Sequence, residues 1–293
     1  MKSAPFEYVA PATVDEAVRL LAEHGDEAKV LAGGQSLVPV LALRLARPGV
    51  LVDVNRVDGL AGVRRDNGRV RVGALTRHAA VERDPDLAAA VPLLARAAPL
   101  IGHFQIRNRG TIGGSLAHAD PAAEWPAVAL ALDAELEVRS SGGQRTIAAA
   151  DFVVSTFMTA LEPDDLLVAA WFPVWGAGAG FAVEELARRS GDFAIAGAIC
   201  GVQVAGPAVT RAAISLLGMG STPLRARAAE RRLTGARPDD LDLEEVGQLA
   251  VADCDPPDDV HASGSYRRRV GAALVSRALA RAMREAQGEV QDG

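Results

Sequence analysis

Residues 32–36 read Ala32-Gly33-Gly34-Gln35-Ser36, and residues 111–115 read Thr111-Ile112-Gly113-Gly114-Ser115. The first stretch follows the apolar step Val30-Leu31, and the second follows the basic stretch Arg107-Asn108-Arg109-Gly110. Glycine lets a backbone approach a ligand closely, and successive exposed N–H groups form a concave nest that binds phosphate oxygens. Two such loops far apart in the chain predict one extended ligand held from two sides, for which a dinucleotide pyrophosphate is the natural candidate. Two ordinary tight turns are the alternative, because glycine pairs are common in turns.

The composition is that of an ordinary globular protein of about two domains. The chain has 293 residues, of which 49% are hydrophobic and 23% are charged, a balance that builds a full core. The net charge of −6 argues against general nucleic-acid binding, which depends on Lys and Arg that neutralise phosphates. No apolar run approaches the ~18 residues of a membrane span, and the first residues lack the apolar segment of a signal peptide. We therefore expect a cytoplasmic protein with no transmembrane segment.

The two cysteines, Cys200 and Cys254, restrict the redox chemistry of the chain. An iron–sulfur cluster usually needs four cysteine thiolates, so a cluster that works with this protein must belong to another chain. Neither a Gly-x-Ser-x-Gly elbow nor a P-loop pattern occurs. The histidines show no i, i+4 ligand pair, and at His118-Ala119-Asp120 a capped helix start is favoured over a metal site. We predict no metal site and no catalytic acid–base residue, which is typical of a protein whose cofactor performs the chemistry.

Hydrophobic periodicity predicts a mixed α+β fold. Thr13 and Glu16 form a capping box at the start of a helix that ends at Gly25. Asp120 is expected to cap another helix that has Pro121 at its first position. Further helices are predicted at 39–45, 87–99, 224–233, 241–252 and 266–286. Strands are predicted at 29–32, 50–54, 69–74, 136–139, 166–172, 193–204 and 212–217. The small residues of 175–180 predict a connection between two domains.

These segments resemble the FAD-binding subunits of the molybdenum hydroxylases, a family that includes carbon monoxide and xanthine dehydrogenases. The most specific segment runs from Gln105 to Pro121, QIRNRGTIGGSLAHADP. Further similar segments lie at 32–37, 51–54, 188–194, 223–226 and 265–268, so the resemblance covers nearly the whole chain. It implies an α+β protein with a two-subdomain FAD-binding fold of the vanillyl-alcohol-oxidase (PCMH) type at residues 1–175. A small α+β C-terminal domain is implied at residues 180–288.

The resemblance also implies the residues of a FAD site. The two glycine loops would line the pyrophosphate. Glu124 falls where relatives usually carry an aspartate that bonds ribityl or ribose hydroxyls, and Leu161 or its neighbours would approach the flavin ring through the backbone. Glu184 falls where some relatives carry a lysine near the flavin, and Phe193 where an aromatic often lies against the isoalloxazine. The full predicted set is Ala32, Gly33, Gly34, Gln35, Ser36, Gly110, Thr111, Ile112, Gly113, Gly114, Ser115, Glu124, Leu161, Glu184 and Phe193.

The implied function is electron transfer inside a complex. A large partner subunit with a molybdenum–pterin cofactor would hydroxylate a substrate, and a small partner subunit with two [2Fe–2S] clusters would pass the electrons to FAD in this chain. Oxygen, a quinone, NAD or another acceptor would then receive them. The expected assembly is a dimer of heterotrimers. Two other functions stay open, namely a stand-alone flavin oxidase or reductase and a scaffold subunit that has lost FAD.

Overall fold

In the computed structural model, which describes residues 2–288, the N-terminal part forms a three-stranded parallel sheet ordered β1-β3-β2. Its elements are β1 (Glu7–Val9), α1 (Val14–His24), β2 (Ala28–Leu31), α2 (Leu37–Ala42) and β3 (Val50–Asp53). Val18 and Leu21 of α1 pack with Val52 of β3, and this core continues to Leu75 and Val168 of the next sheet. Parallel strands end at the same edge of a sheet. The residues that follow β2 therefore lie beside those that follow β3.

A five-stranded antiparallel sheet ordered β4-β5-β10-β6-β7 comes next. Helices α3 to α8 lie between β5 and β6 in the chain. Apolar side chains of α3, α4, α5, α7 and α8 form one core with the sheet, which includes Leu94, Trp125 and Phe172. Strands β8 and β9 form a separate two-stranded hairpin. The elements are β4 (Val63–Asp66), β5 (Arg69–Gly73), α3 (His78–Arg83), α4 (Pro85–Ala90), α5 (Pro92–Ala97), α6 (Phe104–Arg107), α7 (Ile112–His118), α8 (Glu124–Ala131), β6 (Glu135–Ser140), β7 (Gly143–Ala148), α9 (Ala149–Phe152), β8 (Val153–Ser155), β9 (Met158–Thr159) and β10 (Leu166–Pro173).

The C-terminal part is a four-stranded antiparallel sheet ordered β11-β12-β13-β14 with helices on one face. Its other face packs on the helices of the middle part, because Phe181, Ile199 and Leu217 join the core described above. The elements are β11 (Ala179–Ala187), β12 (Ala194–Ala205), β13 (Ala208–Leu217), β14 (Leu224–Arg225), α10 (Arg227–Leu233), α11 (Leu243–Val251) and α12 (Gly264–Ala286). Within residues 2–288, no helix is long and apolar enough to cross a membrane.

A charged clamp fastens α12 to the middle part of the chain. The Glu285 carboxylate accepts hydrogen bonds from both terminal nitrogens of Arg96 on α5, at 2.6 and 2.7 Å. It also accepts one from the Phe181 N–H at 2.9 Å. At the other end of the C-terminal sheet, the Gly218 N–H donates to the Pro121 carbonyl at 2.8 Å. The C-terminal sheet is therefore attached at both ends to the middle part of the chain.

Several predicted elements are confirmed by the structure. Thr13 Oγ1 accepts from the Glu16 N–H at 3.2 Å at the start of α1, and the long C-terminal helix covers nearly the predicted range. The cysteines Cys200 and Cys254 are both buried and free. Residue 1, where the predicted first domain begins, lies outside the described residues.

Three predicted helices differ from those in the structure. The helix expected at 87–99 is two short helices, α4 and α5, because Pro92 has no N–H for a continuing helix and begins a new one. The helix expected after Asp120 begins at Glu124, and Asp120 Oδ1 instead accepts from the Ala122 N–H at 2.9 Å in the preceding turn. Residues 224–225 form a short strand, so the helix predicted from 224 begins at Arg227.

Candidate functional site

The two glycine loops lie against each other at backbone distance. A Cβ built on Gly33 would lie 2.4 Å from the Arg109 carbonyl oxygen and 2.8 Å from Gly110 Cα. A Cβ on Gly114 would lie 3.7 Å from the Ala32 Cβ. No side chain fits at Gly33, so only glycine permits this approach. The structure thus brings predicted residues 32–36 and 110–115 into one wall.

The first loop presents a row of free backbone donors. It follows β2, and Gly34 adopts a φ of +71°, in the left-handed region that favours glycine. Among residues 2–288, the backbone N–H groups of Gly33, Gly34, Gln35 and Ser36 have no acceptor. Gln35 Nε2 donates to the Gly33 carbonyl at 2.8 Å, so this side chain holds the loop in shape. Successive free N–H groups at such a turn bind phosphate oxygens.

The second loop is fixed to the end of β5. The Ile112 N–H donates to the Thr76 carbonyl at 3.1 Å, and the Gly113 N–H donates to the Ala74 carbonyl at 2.9 Å. Thr111 caps α7, because its Oγ1 accepts from the Gly114 N–H at 3.1 Å. These bonds hold the loop in place, with Gly113 packed against Ala74 and Gly114 towards Ala32 of the first loop.

A cleft of about 350 Å³ opens beside the first loop. Its walls come from the loop, from the start of α2, from the end of β3 and the residues after it, and from Arg109, which precedes the second loop; predicted residues 110–115 do not line it. The lining residues are Leu31, Ala32, Gly33, Gly34, Gln35, Val38, Pro39, Asp53, Asn55 and Arg109. A group bound in this cleft would therefore meet the free N–H donors of the first loop.

A polar network that the sequence analysis missed ties the loops together. Asn55 Nδ2 donates to the Ala32 carbonyl at 2.8 Å, and Asn55 Oδ1 accepts from the Arg77 guanidinium at 2.7 Å. The same guanidinium donates to the Arg109 carbonyl. One arginine and one asparagine therefore connect both glycine loops. The only feature of the sequence that could have indicated this network is the position of Asn55 just after a parallel strand.

Asp53 holds the side chain of Asn55 in place through a hydrogen bond. Its Oδ1 accepts from Asn55 Nδ2 at 2.6 Å, and its Oδ2 accepts from the Tyr8 hydroxyl at 2.6 Å. Burial acts to raise the pKa of Asp53, but the hydrogen bonds from Tyr8 and Asn55 outweigh it and lower the pKa below its ordinary value. Asp53 is therefore ionised at neutral pH and fixes the orientation of the Asn55 amide.

A buried histidine lies behind the second loop. A Cβ on Gly110 would lie 2.6 Å from the His78 ring. The backbone N–H of His78 donates to the Gly110 carbonyl at 3.1 Å. His78 Nδ1 accepts from Trp125 Nε1 at 2.9 Å. Burial, with smaller contributions from Arg77 and Arg107, lowers the pKa of His78 to about 4. The ring is therefore neutral at pH 7 and acts as a packed support for Gly110.

Comparisons with known proteins agree along the chain. The family described as the FAD binding domain in molybdopterin dehydrogenase matches residues 4–175, and the CO dehydrogenase flavoprotein C-terminal domain matches residues 181–282. The chain belongs to the FAD-binding subunits of the molybdenum hydroxylase family. It is 45% identical to the 6-hydroxypseudooxynicotine dehydrogenase complex subunit alpha of Paenarthrobacter nicotinovorans, over 98% of this chain and 97% of that one. It is 38% identical to the carbon monoxide dehydrogenase medium chain of Hydrogenophaga pseudoflava, over 94% and 96%.

Solved structures give the same family. A carbon monoxide dehydrogenase structure from Hydrogenophaga pseudoflava matches this FAD-binding subunit with a TM-score of 0.94 and 40% identity, over 96% of this chain and 98% of that one. The quinoline 2-oxidoreductase of Pseudomonas putida 86 matches with a TM-score of 0.92 and 36% identity, over 99% of each chain. These relatives are oxidoreductases, and so is the FAD-binding subunit family to which this chain belongs.

The glycine wall of this FAD-binding subunit fits the group that the family binds. A pyrophosphate needs close backbone approach and several N–H donors. Gly33 allows the two loops to lie at backbone distance, and the free N–H groups of residues 33–36 supply the donors. In the part of the chain that the structure describes, no group of three or more His, Cys, Asp or Glu could hold a metal ion.

The other predicted residues lie on separate elements. Leu161 is partly buried against the main core, and Phe193 is 66% exposed just before β12. The Glu184 carboxylate lies 2.5 Å from Arg281 of α12, which places it on the helix-covered side of β11. Glu124 begins α8 and is only 7% exposed. Burial raises the pKa of Glu124 to about 7, with a further contribution from the charge of Asp120.

Glu185 is a further residue that the sequence analysis missed. Side chains alternate between the two faces of a strand, and Phe181 and Val183 belong to the core shared with α5 and α8. Glu185 is an even number of positions from Phe181 and Val183, so it faces the same core as they do, on the opposite face of β11 from Glu184. Burial raises the pKa of Glu185 to about 8, and the charge of Glu124 contributes in the same direction.

Proposed function

We propose that this chain binds FAD with the pyrophosphate in the wall formed by residues 32–36 and 110–115, and carries electrons through it. The observation that supports this most strongly is the backbone contact between Gly33 and Arg109–Gly110, which aligns free N–H donors along one cleft. FAD, when bound, supplies the electron-carrying chemistry. The residues of the chain bind it, orient it and limit access to it.

The roles of the remaining residues follow the same proposal. Glu124 contacts hydroxyl groups of the cofactor, Leu161 approaches the ring through its backbone, and Phe193 covers one face of the ring. Glu184 is part of the predicted set, and its ion pair with Arg281 favours an effect that is transmitted through β11. No residue is assigned as a general base.

We further propose the architecture that belongs to this function. Residues 1–175 form a FAD-binding domain of the vanillyl-alcohol-oxidase (PCMH) type, and residues 180–288 form the C-terminal domain. The separate parallel and antiparallel sheets, followed by a third sheet after residue 178, support this division.

The proposed complex has three kinds of subunit. A large subunit with molybdenum–pterin hydroxylates a substrate, a small subunit with [2Fe–2S] clusters relays electrons to FAD here, and oxygen, a quinone or NAD accepts them. The complex is a cytoplasmic dimer of heterotrimers. Relatives are named as medium chains or medium subunits, such as the nicotine 6-hydroxylase medium subunit of Paenarthrobacter nicotinovorans. Two cysteines in the whole chain are too few to ligate a cluster with thiolates, which supports a relay through a partner.

The first test is the visible absorption spectrum of the purified chain before and after FAD is added and the sample is desalted. The wild-type chain should retain flavin bands. The Gly33→Ala variant should lose them, because the new Cβ would overlap the Arg109 carbonyl. Gly142→Ala is the matched control, since its Cβ would meet only the Ser140 hydroxyl at 3.6 Å.

Two outcomes would contradict the proposal. Gly33→Ala that retains flavin as well as Gly142→Ala would refute the assigned wall. A wild-type chain that stays colourless both alone and after co-purification with its partner subunits would refute FAD binding itself. Flavin-loaded chain that oxidises an organic substrate without partners would favour a stand-alone enzyme.

A further inference from the structure

A second cavity lies on the outer face of the five-stranded middle sheet, opposite to the face that packs on the helices. Its volume is about 490 Å³, which is in the range of small-molecule sites, and it shares no lining residue with the cleft beside the first glycine loop. Val72 of β5 points into the core, so its neighbour Arg71 points outwards. On the adjacent strands Arg64, Glu137 and Trp171 also line the cavity. The cavity therefore offers two guanidinium groups, one carboxylate and one indole ring.

The two arginines of the cavity face each other across the ladder between β4 and β5. The register places Arg64 directly opposite Arg71, and like charges in that position are destabilising. Among residues 2–288, Arg64 forms no ion pair and donates no hydrogen bond, while Arg71 donates only through Nε, to Glu137 at 3.1 Å. The guanidinium of Arg64 and the terminal nitrogens of Arg71 are therefore open to an acceptor.

Glu137 supplies one negative charge against these two positive charges. Its Oε2 accepts from Arg71 Nε and from Trp171 Nε1, the latter at 2.8 Å. Burial acts to raise the pKa of Glu137, but the hydrogen bonds from Arg71 and Trp171 outweigh it and lower the pKa below its ordinary value. The carboxylate is therefore ionised at neutral pH, and one net positive charge remains in the cavity. A ligand with one negative charge would balance it, whereas a second negative charge would lie near Glu137.

Trp171 gives the cavity an aromatic platform. The hydrogen bond of its indole N–H fixes the ring, and the guanidinium carbons of Arg64 and Arg69 lie 5.6 Å from the ring centroid, within cation–π distance. Arg69 is paired with Glu135 at 2.7 Å, which leaves Arg64 to turn towards a ligand. Arg71 is directly opposite Trp171 in the ladder between β5 and β10. A flat ring on the indole would thus bring an attached acid group beside both arginines of the cavity.

We propose that this cavity binds an aromatic monocarboxylate, with its ring against Trp171 and its carboxylate held by Arg64 and Arg71. Guanidinium groups pair with carboxylates through two parallel hydrogen bonds, which suits this arrangement. Gly62 lines the cavity and leaves space for the ring, because a Cβ there would meet no atom within 4 Å. An aliphatic acid would use only the arginines, and an uncharged aromatic compound would use only the indole. The site does not depend on FAD binding, since neither glycine loop contributes to it.

The test is isothermal titration calorimetry of naphthoate with the full chain. The wild-type chain should bind naphthoate with a dissociation constant of about 1 mM or lower. Arg64→Gln should weaken binding by about tenfold or more, which is the effect of one lost charge-assisted hydrogen bond. Arg65→Gln is the matched control, because Arg65 is the next residue of β4 and pairs with Val70 on the other face of the sheet, and it should bind naphthoate as the wild-type chain does. Circular dichroism establishes that both variants are folded.

Further ligands test the ring and the charge separately on the wild-type chain, without any substitution. Cyclohexanecarboxylate lacks the aromatic ring and naphthylmethanol lacks the charge, so each should bind about tenfold or more weakly than naphthoate. Naphthyl phosphate carries a second negative charge, which Glu137 repels, and should also bind more weakly than naphthoate.

The results separate this site from the proposed FAD site. Gly33→Ala, which is expected to lose FAD, should still bind naphthoate, and naphthoate binding that this variant abolishes belongs to the other cleft and overturns the proposal. Equal affinity in the wild-type chain, Arg64→Gln and Arg65→Gln overturns it, as does a folded wild-type chain that does not bind naphthoate. Cyclohexanecarboxylate that binds as tightly as naphthoate overturns the role of Trp171. Naphthyl phosphate that binds more tightly overturns the preference for a single charge.

Discussion

Gly113→Ala should destabilise the protein through a single contact. A Cβ at this position would lie 2.4 Å from the Ala74 Cβ and 2.8 Å from the Ala74 carbonyl oxygen, whereas carbon atoms in contact are about 3.5–4.0 Å apart. The start of α7 would have to move away from β5 by more than about 1 Å. That movement would break the hydrogen bonds from Gly113 N–H to Ala74 and from Ile112 N–H to Thr76, which measure 2.9 and 3.1 Å.

The expected magnitude follows from these contacts. Two lost hydrogen bonds cost about 1 kcal/mol each, and strained packing around the fully buried Ile112 adds about 1 kcal/mol. Alanine gains up to about 1 kcal/mol over glycine in a helix. The net loss in the free energy of unfolding is about 2 kcal/mol, which lowers the melting temperature of a chain of 293 residues by about 3 °C.

Thermal unfolding of the FAD-free chain, followed by circular dichroism, measures this loss without a contribution from bound ligand. Gly142→Ala is again the control, because its turn is exposed and open, and it should melt within about 1 °C of the wild-type chain. If Gly113→Ala melts as high as Gly142→Ala, the second loop is not held against Ala74 as described.

Three further predictions concern the same site. Below pH 6.5 the unfolded chain protonates His78 while the folded chain does not, so the free energy of unfolding is at its full value above pH 6.5 and falls by about 3 kcal/mol as the pH drops towards 4. Urea unfolding of the His78→Gln variant should lack this loss. An equal loss in the wild-type chain and in His78→Gln would contradict a neutral His78 ring. Asn55→Ala removes the bonds to Ala32 and Arg77 and should weaken FAD binding about tenfold in fluorescence titrations, with unchanged affinity as the contrary result. Phe193→Ala should leave the free energy of unfolding within about 0.5 kcal/mol of the wild-type value, because the side chain is 66% exposed. It should increase the quenching of bound flavin fluorescence by iodide. Unchanged quenching would argue that Phe193 does not cover the flavin ring.

Local signals in the sequence were sufficient for some elements. The Thr13 cap depends on residues three positions apart, and the glycine loops carry their own conformational requirement at Gly34. Both features are therefore visible without knowledge of the fold. The resemblance to a family supplied the ligand, and the matches along the chain agree with it.

Long-range contacts could not be obtained in this way. Asn55 and Arg77 have no distinctive neighbours, and their importance depends on the approach of two loops from different sheets. Gln35 illustrates a different limit: an amide in a binding loop suggests a ligand contact, but Nε2 donates to the carbonyl of Gly33.

Strand β11 shows why the acidic residues were difficult to assign. Alternation places Glu184 and Glu185 on opposite faces, but both faces of the strand are covered, so hydrophobic pattern does not identify which face meets α12. Only the packing of α12 against the sheet resolves it, through the ion pair of Glu184 with Arg281.

The contact between Gly33 and Arg109–Gly110 also has a consequence for biosynthesis. The N-terminal sheet leaves the ribosome first, and its loop faces an incomplete cleft until the segment around Arg109 has been made and packed. A ligand that binds only the joined loops stabilises the association of the two sheets by mass action, by about 4 kcal/mol at a free concentration a thousand times its dissociation constant. Cofactor uptake would thus serve as a checkpoint on synthesis, since a chain truncated before residue 109 would emerge as a colourless fragment.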